Sequence, residues 1–506
     1  MVTALKARLP RRPSLDPLFW ATIVGCSLAV AVGASTLWAG YWLLVPVAVL
    51  AGVAIAYLAW SRLSERYTLT GAPISPNFAL MGMPTILSLS FVSFTAGFAL
   101  LVLTLIVLLF WQRDHTSRFY LSGACAIIPI AALLIILRPN YPSTMSTAAF
   151  FVVGCVTLAR AVYLSRNRTS AVVSLVDGVG IYLVVSVGLW VAGFGATQSR
   201  TGGLENALTG GDRVLFPLAN SLASTPAMAG LYLAAATPLM ILLRRHLLLR
   251  VIPLASAVAI LILSDTRVSL VGAVLLALFV IWAPRAFRVS APWLVGGTLI
   301  VPFIYSSIQM QTQKMFTSVT DIFPWLSRSG EETASLNQRD YIWSQSLHFY
   351  SERTNWVDQM LGFGAYGHAE SGASQFYYWR FGGLGRDDRL MTPHNSTLQL
   401  LLDGGWVVTA LIGGCLVAVA ILLARHVRQS VLMTPALAML VVLAIVSITE
   451  IALSPAHAQP TWWVFLTLAL IAFARDESQD ENQTTSPLAS SQTVPSNQIG
   501  LPKVVS

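Results

Sequence analysis

Charge is what this chain has least of. Only 10% of its 506 residues are charged, while 55% are hydrophobic; an average soluble domain carries about 25% charged residues. That scarcity excludes an ordinary soluble enzyme. The net charge of +9 does not point to nucleic acid. Much of the excess Lys and Arg lies between apolar runs, as the positive-inside rule of membrane proteins produces. Cysteine is scarce too. Cys26, Cys125, Cys155 and Cys415 all fall inside apolar runs, which excludes a disulfide framework or a zinc set. No Gly-rich phosphate loop follows a strand, and no repeat is visible, so nucleotide-fuelled chemistry is disfavoured. The polar segments hold no Asp-x-Asp pair and no His/Glu set at metal-ligand spacing. No metal and no cofactor are expected.

What is present is a long series of apolar runs. They lie near 18–38, 41–60, 119–137, 145–165, 171–194, 222–243, 248–264, 267–283, 291–308, 403–424, 432–451 and 459–474, each close to the length a bilayer requires. The uncharged stretch 72–111 is either one long tilted helix or a tight hairpin. Arg62 and Arg66 precede it, and Arg113 and Arg118 follow it. If both groups are cytoplasmic, the stretch must enter and return, and the later basic clusters fall into phase. Lys6, Arg8, Arg11 and Arg12 precede the first run, which reads as a retained anchor rather than a cleaved leader. The expectation is an all-α polytopic membrane protein of about 12–14 transmembrane helices, both termini inside. Residues 1–17 form a cytoplasmic N-terminus. Residues 18–308 hold the first set of helices, with a short outer loop near 195–221. Residues 309–393 form one large outer loop between late helices, 394–475 the last helices, and 476–506 a disordered polar tail.

Candidate chemistry gathers on the outer side. His394 sits just before an apolar run, in Thr392-Pro393-His394-Asn395-Ser396-Thr397-Leu398. A titratable group at a membrane–water boundary suits chemistry on a lipid-linked substrate. The alternative is a plain helix start, with Asn395, Ser396 or Thr397 as N-cap and the histidine merely exposed. Arg213 and Arg267 are both expected outside, against the usual side for basic residues. Two such arginines could clamp a diphosphate through bidentate hydrogen bonds; the alternative is snorkelling, or pairing with Asp212 and Asp265. The 309–393 loop is dense in aromatics, including Trp343, Phe349, Tyr350 and the run Phe376-Tyr377-Tyr378-Trp379. Flat π-faces beside polar groups suit sugar rings, although such residues also build loop cores and interfacial belts.

Taken in order, these motifs resemble the O-antigen ligase and polymerase superfamily of bacterial envelope enzymes. Arg339 with Trp343, then Gly362-Phe363-Gly364, then His394-Asn395-Ser396-Thr397-Leu398 match the motifs of that family's large late loop. Arg213 through Asn220 matches its arginine beside a Phe/Pro/Asn stretch, and Ser264 to Arg267 its Ser–Arg motif opening a span. The match covers about 205–410. It departs at Asp403-Gly404-Gly405, where the family often has Glu-x-Gly, at Pro217-Leu218-Ala219-Asn220 in place of Asn-Pro-Asn, and at Asp265-Thr266, which separate the Ser–Arg pair.

The resemblance implies transfer of a glycan from an undecaprenyl-diphosphate-type carrier to an acceptor hydroxyl, at the periplasmic face of the bacterial inner membrane. The acceptor would be a saccharide or lipid-saccharide. His394 would be the base, Arg213 and Arg267 the diphosphate ligands, and Arg339, Trp343, Asn395 and Asn220 further substrate contacts. A diphosphate leaving group needs cations rather than a proton donor, and direct displacement by the hydroxyl inverts the anomeric centre without a metal. The helix start beyond His394 should favour the neutral imidazole. Two alternatives stay open: an O-linked protein oligosaccharyltransferase of the same superfamily, and a transporter or flippase that moves lipid-linked saccharide without chemistry.

Overall fold

The computed structural model describes residues 67–68, 77–111, 119–138, 144–194, 196–198, 213–219, 221–244, 247–264, 266–322, 339–379 and 391–476. The expected spans near 18–38 and 41–60 and the tail beyond 476 lie outside these residues. The described chain is helical, with three antiparallel pairings of two or three residues each. The helices are α1 Phe78–Ser88, α2 Phe94–Phe110, α3 Ile127–Ile136, α4 Thr144–Tyr163, α5 Arg168–Leu189, α6 Ser224–Leu242, α7 Leu247–Leu263, α8 Arg267–Trp282 and α9 Pro284–Ile322. Four polar helices follow: α10 Arg339–Glu352, α11 Trp356–Leu361, α12 Gly367–Glu370 and α13 Gln375–Tyr378. The chain then returns through α14 Ser396–Gln429, α15 Thr434–Thr449 and α16 Pro460–Phe473. Five described helices are long and apolar enough to cross a bilayer, and most of the others are shorter but equally apolar. This is an all-α, polytopic membrane architecture.

Within the uncharged stretch 72–111, the described residues 77–111 form a hairpin, α1 and α2 joined through 89–93. Helices α15 and α16 are buried nearly all round, as apolar helices at the centre of a membrane bundle must be. By contrast α9 exposes Trp293, Leu294 and Ile300, as a lipid-facing helix does.

Helix α9 continues beyond the apolar run, to Ile322, while its stretch apolar enough to cross a bilayer ends at Tyr305. Residues such as Gln309, Gln311, Gln313 and Lys314 are polar but favour helix, and no Gly or Pro interrupts them. At 39 residues and about 1.5 Å per residue, α9 is far longer than a bilayer core of about 30 Å. Helix α14 begins at Ser396, with Asn395 as its cap, two turns before the apolar run that starts at 403.

Helices alternate in direction, so each connection lies at one of two ends. Among the described residues, one end gathers 89–93, 137–138, 190–194, 196–198, 213–219, 221–223, 264, 266, the α10–α13 helices, 391–395 and 450–459. The other gathers the starts of α1 and α5 and the ends of α2, α4, α14 and α16. There Arg160 donates from Nε to the Leu108 carbonyl at 3.0 Å and from an NH2 to the Trp111 carbonyl at 2.9 Å. Arg168 bonds the Ala474 carbonyl.

Candidate functional site

The site is built around the start of α14. Asn395 caps that helix, its side-chain oxygen accepting from the Leu398 amide at 2.9 Å. The same side chain donates to the Ile448 carbonyl at 2.8 Å. Ser396 Oγ donates to the Glu450 carbonyl at 2.7 Å and accepts from the Leu453 amide at 3.2 Å. The helix start is therefore locked to the α15–α16 turn.

His394 stands one residue before the cap with φ 49. A non-glycine residue in the left-handed region costs on the order of 1–3 kcal/mol and persists only where its surroundings over-determine it. Here they do. Trp343, buried on α10, donates its indole N–H to the Pro393 carbonyl at 3.1 Å, and Asn395 fixes the other side. His394 Nδ1 is buried and lies 3.6 Å from Glu450 Oε2, an ion-pair distance rather than a hydrogen bond. The side chain is 31% exposed, so the accessible part of the ring is its remaining edge. Arg339 donates to Glu450 Oε1 at 2.7 Å. The order Arg339–Glu450–His394 places a carboxylate between a fixed cation and an imidazole.

A second polar cluster lies deeper along α14. Asp403 is fully buried. Its Oδ1 accepts from the Gly367 amide at 2.8 Å and from Gln399 Nε2 at 2.7 Å, and its Oδ2 accepts from Ser454 Oγ at 3.1 Å. Gln399 Nε2 also lies 3.0 Å from His368 Nδ1, so that nitrogen must be the acceptor. The Ser454 proton goes to Asp403, so His457 Nδ1, 3.0 Å from Ser454 Oγ, must be a donor. Burial, with the charges of His457 and His394 nearby, pushes His368 down to about 3. Burial pushes His457 down to about 4. Both rings are neutral at neutral pH. Asp403, Ser454 and His457 have the composition of a nucleophile triad, but Ser454 is fully buried and gives its proton directly to the carboxylate. Nothing can reach it, and no base activates it.

Near Asp403 the loop threads into the helix. Gly405 has φ 64 inside α14. The Leu402 and Asp403 carbonyls accept instead from the Phe363 and Gly364 amides, each at 2.8 Å. A Cβ on Gly405 would lie 2.3 Å from the Met360 carbonyl carbon, and one on Gly362 would lie 2.4 Å from the Gly404 nitrogen. The Gly362-Phe363-Gly364 motif is thus a backbone-to-backbone contact rather than a ligand cradle.

The expected residues fare differently. Arg339, Trp343, His394 and Asn395 come together as described. Arg213 lies on a short strand paired with Ala196–Gln198, and Arg267 opens α8; their backbones place both at the His394 end. Asn220 and Asp265 lie outside the described residues. Its neighbours Ser221 and Ser224 line a small cavity against Glu450 and Thr461, so that segment reaches the site. The aromatic loop is corrected in part. Trp343, Phe349, Tyr350 and Tyr377 are buried and form the loop's own core, because a polar segment of this size needs one to hold its shape. Trp356 and Trp379 remain exposed. Asp403 is too deeply buried to act as a base on substrate. Sequence reasoning missed Glu450, Gln399, His368, Ser454 and His457. The one signal available was the concentration of Glu450, Ser454, His457 and Gln459 in a short connection between two apolar runs.

No curated protein matches the chain. A family model described as O-antigen ligase matches residues 251–413. That span runs from within α7 into α14 and includes Arg267, Arg339, Trp343, His394 and Asn395, while Arg213 and Glu450 fall outside it. The family supports O-antigen ligase-type glycosyl transfer in general, involving a lipid-linked glycan and a saccharide acceptor. With its apolar helices this chain is a multi-pass membrane protein, and its residues 251–413 are similar to the O-antigen ligase family.

Proposed function

We propose that the His394 end of the bundle transfers a glycan from a polyprenyl-diphosphate carrier to an acceptor hydroxyl, at the periplasmic face of the inner membrane. The observation that carries this reading is the Arg339–Glu450–His394 arrangement, with the ring held in a strained backbone at a helix start. The acceptor oxygen attacks the anomeric carbon as the carbon–oxygen bond to the diphosphate breaks. The acceptor proton passes to His394, and the carrier departs as polyprenyl diphosphate. Attack opposite the leaving group inverts the anomeric centre.

Glu450 stabilises the imidazolium that forms, as a buried carboxylate does beside a catalytic histidine. Arg339 keeps that carboxylate oriented. The 3.6 Å spacing suits an enzyme without substrate, since catalytic contacts tighten in the bound complex. Arg213 and Arg267, carried to the same end by their backbones, take the charge that develops on the diphosphate. Asn395 acts mainly as the cap that sets the ring, and Asn220 is a further candidate contact for the substrate.

The test is incubation of the purified protein with a polyprenyl-diphosphate oligosaccharide, with and without a saccharide acceptor. Release of free polyprenyl diphosphate that depends on acceptor is the expected result. Movement of the intact lipid-linked saccharide across a vesicle with no release would replace transfer with transport. The product formed separates a ligase from a polymerase or a protein glycosyltransferase.

A further inference from the structure

Ser396, Gln399 and Asp403 follow i, i+3, i+7 spacing on the first two turns of α14, so they lie on one face of the helix. All three are essentially buried, on a segment otherwise made of Thr397, Leu and Gly. Apart from the bond Gln399 gives Asp403, their side chains are turned to two other segments. Gln399 and Asp403 hold the loop at His368 and Gly367. Ser396 and Asp403 hold the α15–α16 turn at Glu450, Leu453 and Ser454. Among the described residues, Asp403 meets three donors and no cation. A carboxylate is the side chain that accepts from all three, whereas an amide would turn an N–H toward one of them.

We propose that Ser396, Gln399 and Asp403 form a positioning stripe: by fixing the 450–454 turn to the start of α14, it holds Glu450 against His394. The proposal rests on the reading of His394 as the base. Glu450 is the first residue of that turn, and His394 lies two residues before the stripe. Fixed at 450, 453 and 454, the turn has little freedom to swing its carboxylate away. Ser454 is the residue through which Asp403 acts on the turn, and neither touches substrate.

The test compares Ser454→Ala and Asp403→Asn in the wild-type and His394→Gln backgrounds, using polyprenyl-diphosphate oligosaccharide turnover and amide exchange over 450–457. In the wild-type background Ser454→Ala is expected to lower kcat by up to about 10²-fold, the scale of a misplaced catalytic group, with KM for the donor unchanged. In the His394→Gln background its effect on residual turnover should vanish, since a residue acting through His394 has nothing left to position. Exchange over 450–457 should rise in both backgrounds. Wild-type kcat in Ser454→Ala, an equal loss in both backgrounds, or unchanged exchange would overturn the proposal. Wild-type turnover in His394→Gln alone would instead remove the reading of His394 as base, and the exchange arm would still decide whether the stripe holds the turn.

Discussion

At the end of the bundle away from His394, helices are closed in ordinary ways. Asn77 caps α1 and also donates to Ala161 and Ser165 at 2.7 Å each. Asn167 caps α5 through the Ser170 amide at 2.8 Å, and arginines take the exposed carbonyls of α2 and α16. Cations on C-terminal carbonyls satisfy both hydrogen bonding and the helix dipole. At the His394 end the backbone is bent out of its comfortable range. Among the described residues, every positive φ falls there: Tyr366, His394 and Ala458 among non-glycines, and Gly193, Gly362, Gly364, Gly372 and Gly405. The neutral buried histidines and the buried carboxylate Asp403 lie there too. One end is built for stability, and the other spends stability on geometry, which is how strain distributes between scaffold and site.

The largest expected effect tests that division directly. His394→Gln should cut acceptor-dependent transfer by about 10²–10⁴-fold, the usual range for a lost general base, with expression and carrier-lipid binding retained. Wild-type rates in a transfer assay would make the residue a helix-start fixture. Arg339→Lys keeps the charge but loses the planar fork. It should lower kcat about tenfold, the equivalent of roughly 1.4 kcal/mol, and an unaffected kcat would remove Arg339 from the arrangement.

Acid should separate the ends next. His368 and His457 are pushed to about 3 and about 4, from an ordinary 6.5. As pH falls below 6.5 the unfolded chain binds protons that the folded rings refuse, so stability drops with falling pH until the folded values are reached. Asp403 and Gln399 face this pair from α14, and Tyr366 packs on His457 with ring centroids 4.7 Å apart. Amide exchange over 362–370 and 450–458 should therefore rise between about pH 6 and pH 4 before it rises at the opposite end. His368→Gln with His457→Gln should flatten that response. The smallest effect belongs to the plain end. Asn167→Ala should cost about 1 kcal/mol of stability and leave kcat unchanged. A kcat loss there as large as that of Arg339→Lys would erase the distinction between the ends.

Much of this was legible in the sequence, for reasons that differ by residue. The helices follow from apolar length, and the phase of arginines such as Arg168 and Arg425 placed the α1–α2 hairpin correctly. His394, Arg339 and Trp343 were readable because they sit in ordered motifs within a polar segment. Glu450 was not, because one acid between two apolar runs reads as a boundary residue until folding sets it against His394. Gln399 was not legible for the opposite reason: a polar residue at the head of a span reads as its edge. The continuation of α9 to Ile322 is hidden because its polar residues end the apolar run while their helix propensity carries the helix on. The aromatics were over-read, since Tyr377 and Phe349 hold the loop together and the same residue type serves core and sugar alike.

The break at Gly405 also governs how this protein can be re-engineered. Two carbonyls of α14 are satisfied by amides of the loop, and three glycines let the backbones pass at contact distance. A loop transplanted from a relative to change its acceptor would leave Leu402 and Asp403 unsatisfied at the membrane boundary unless it brought the 360–367 strip with it. The exchangeable unit is the strip and its matching 402–405 segment together, a pair of segments rather than a single insert.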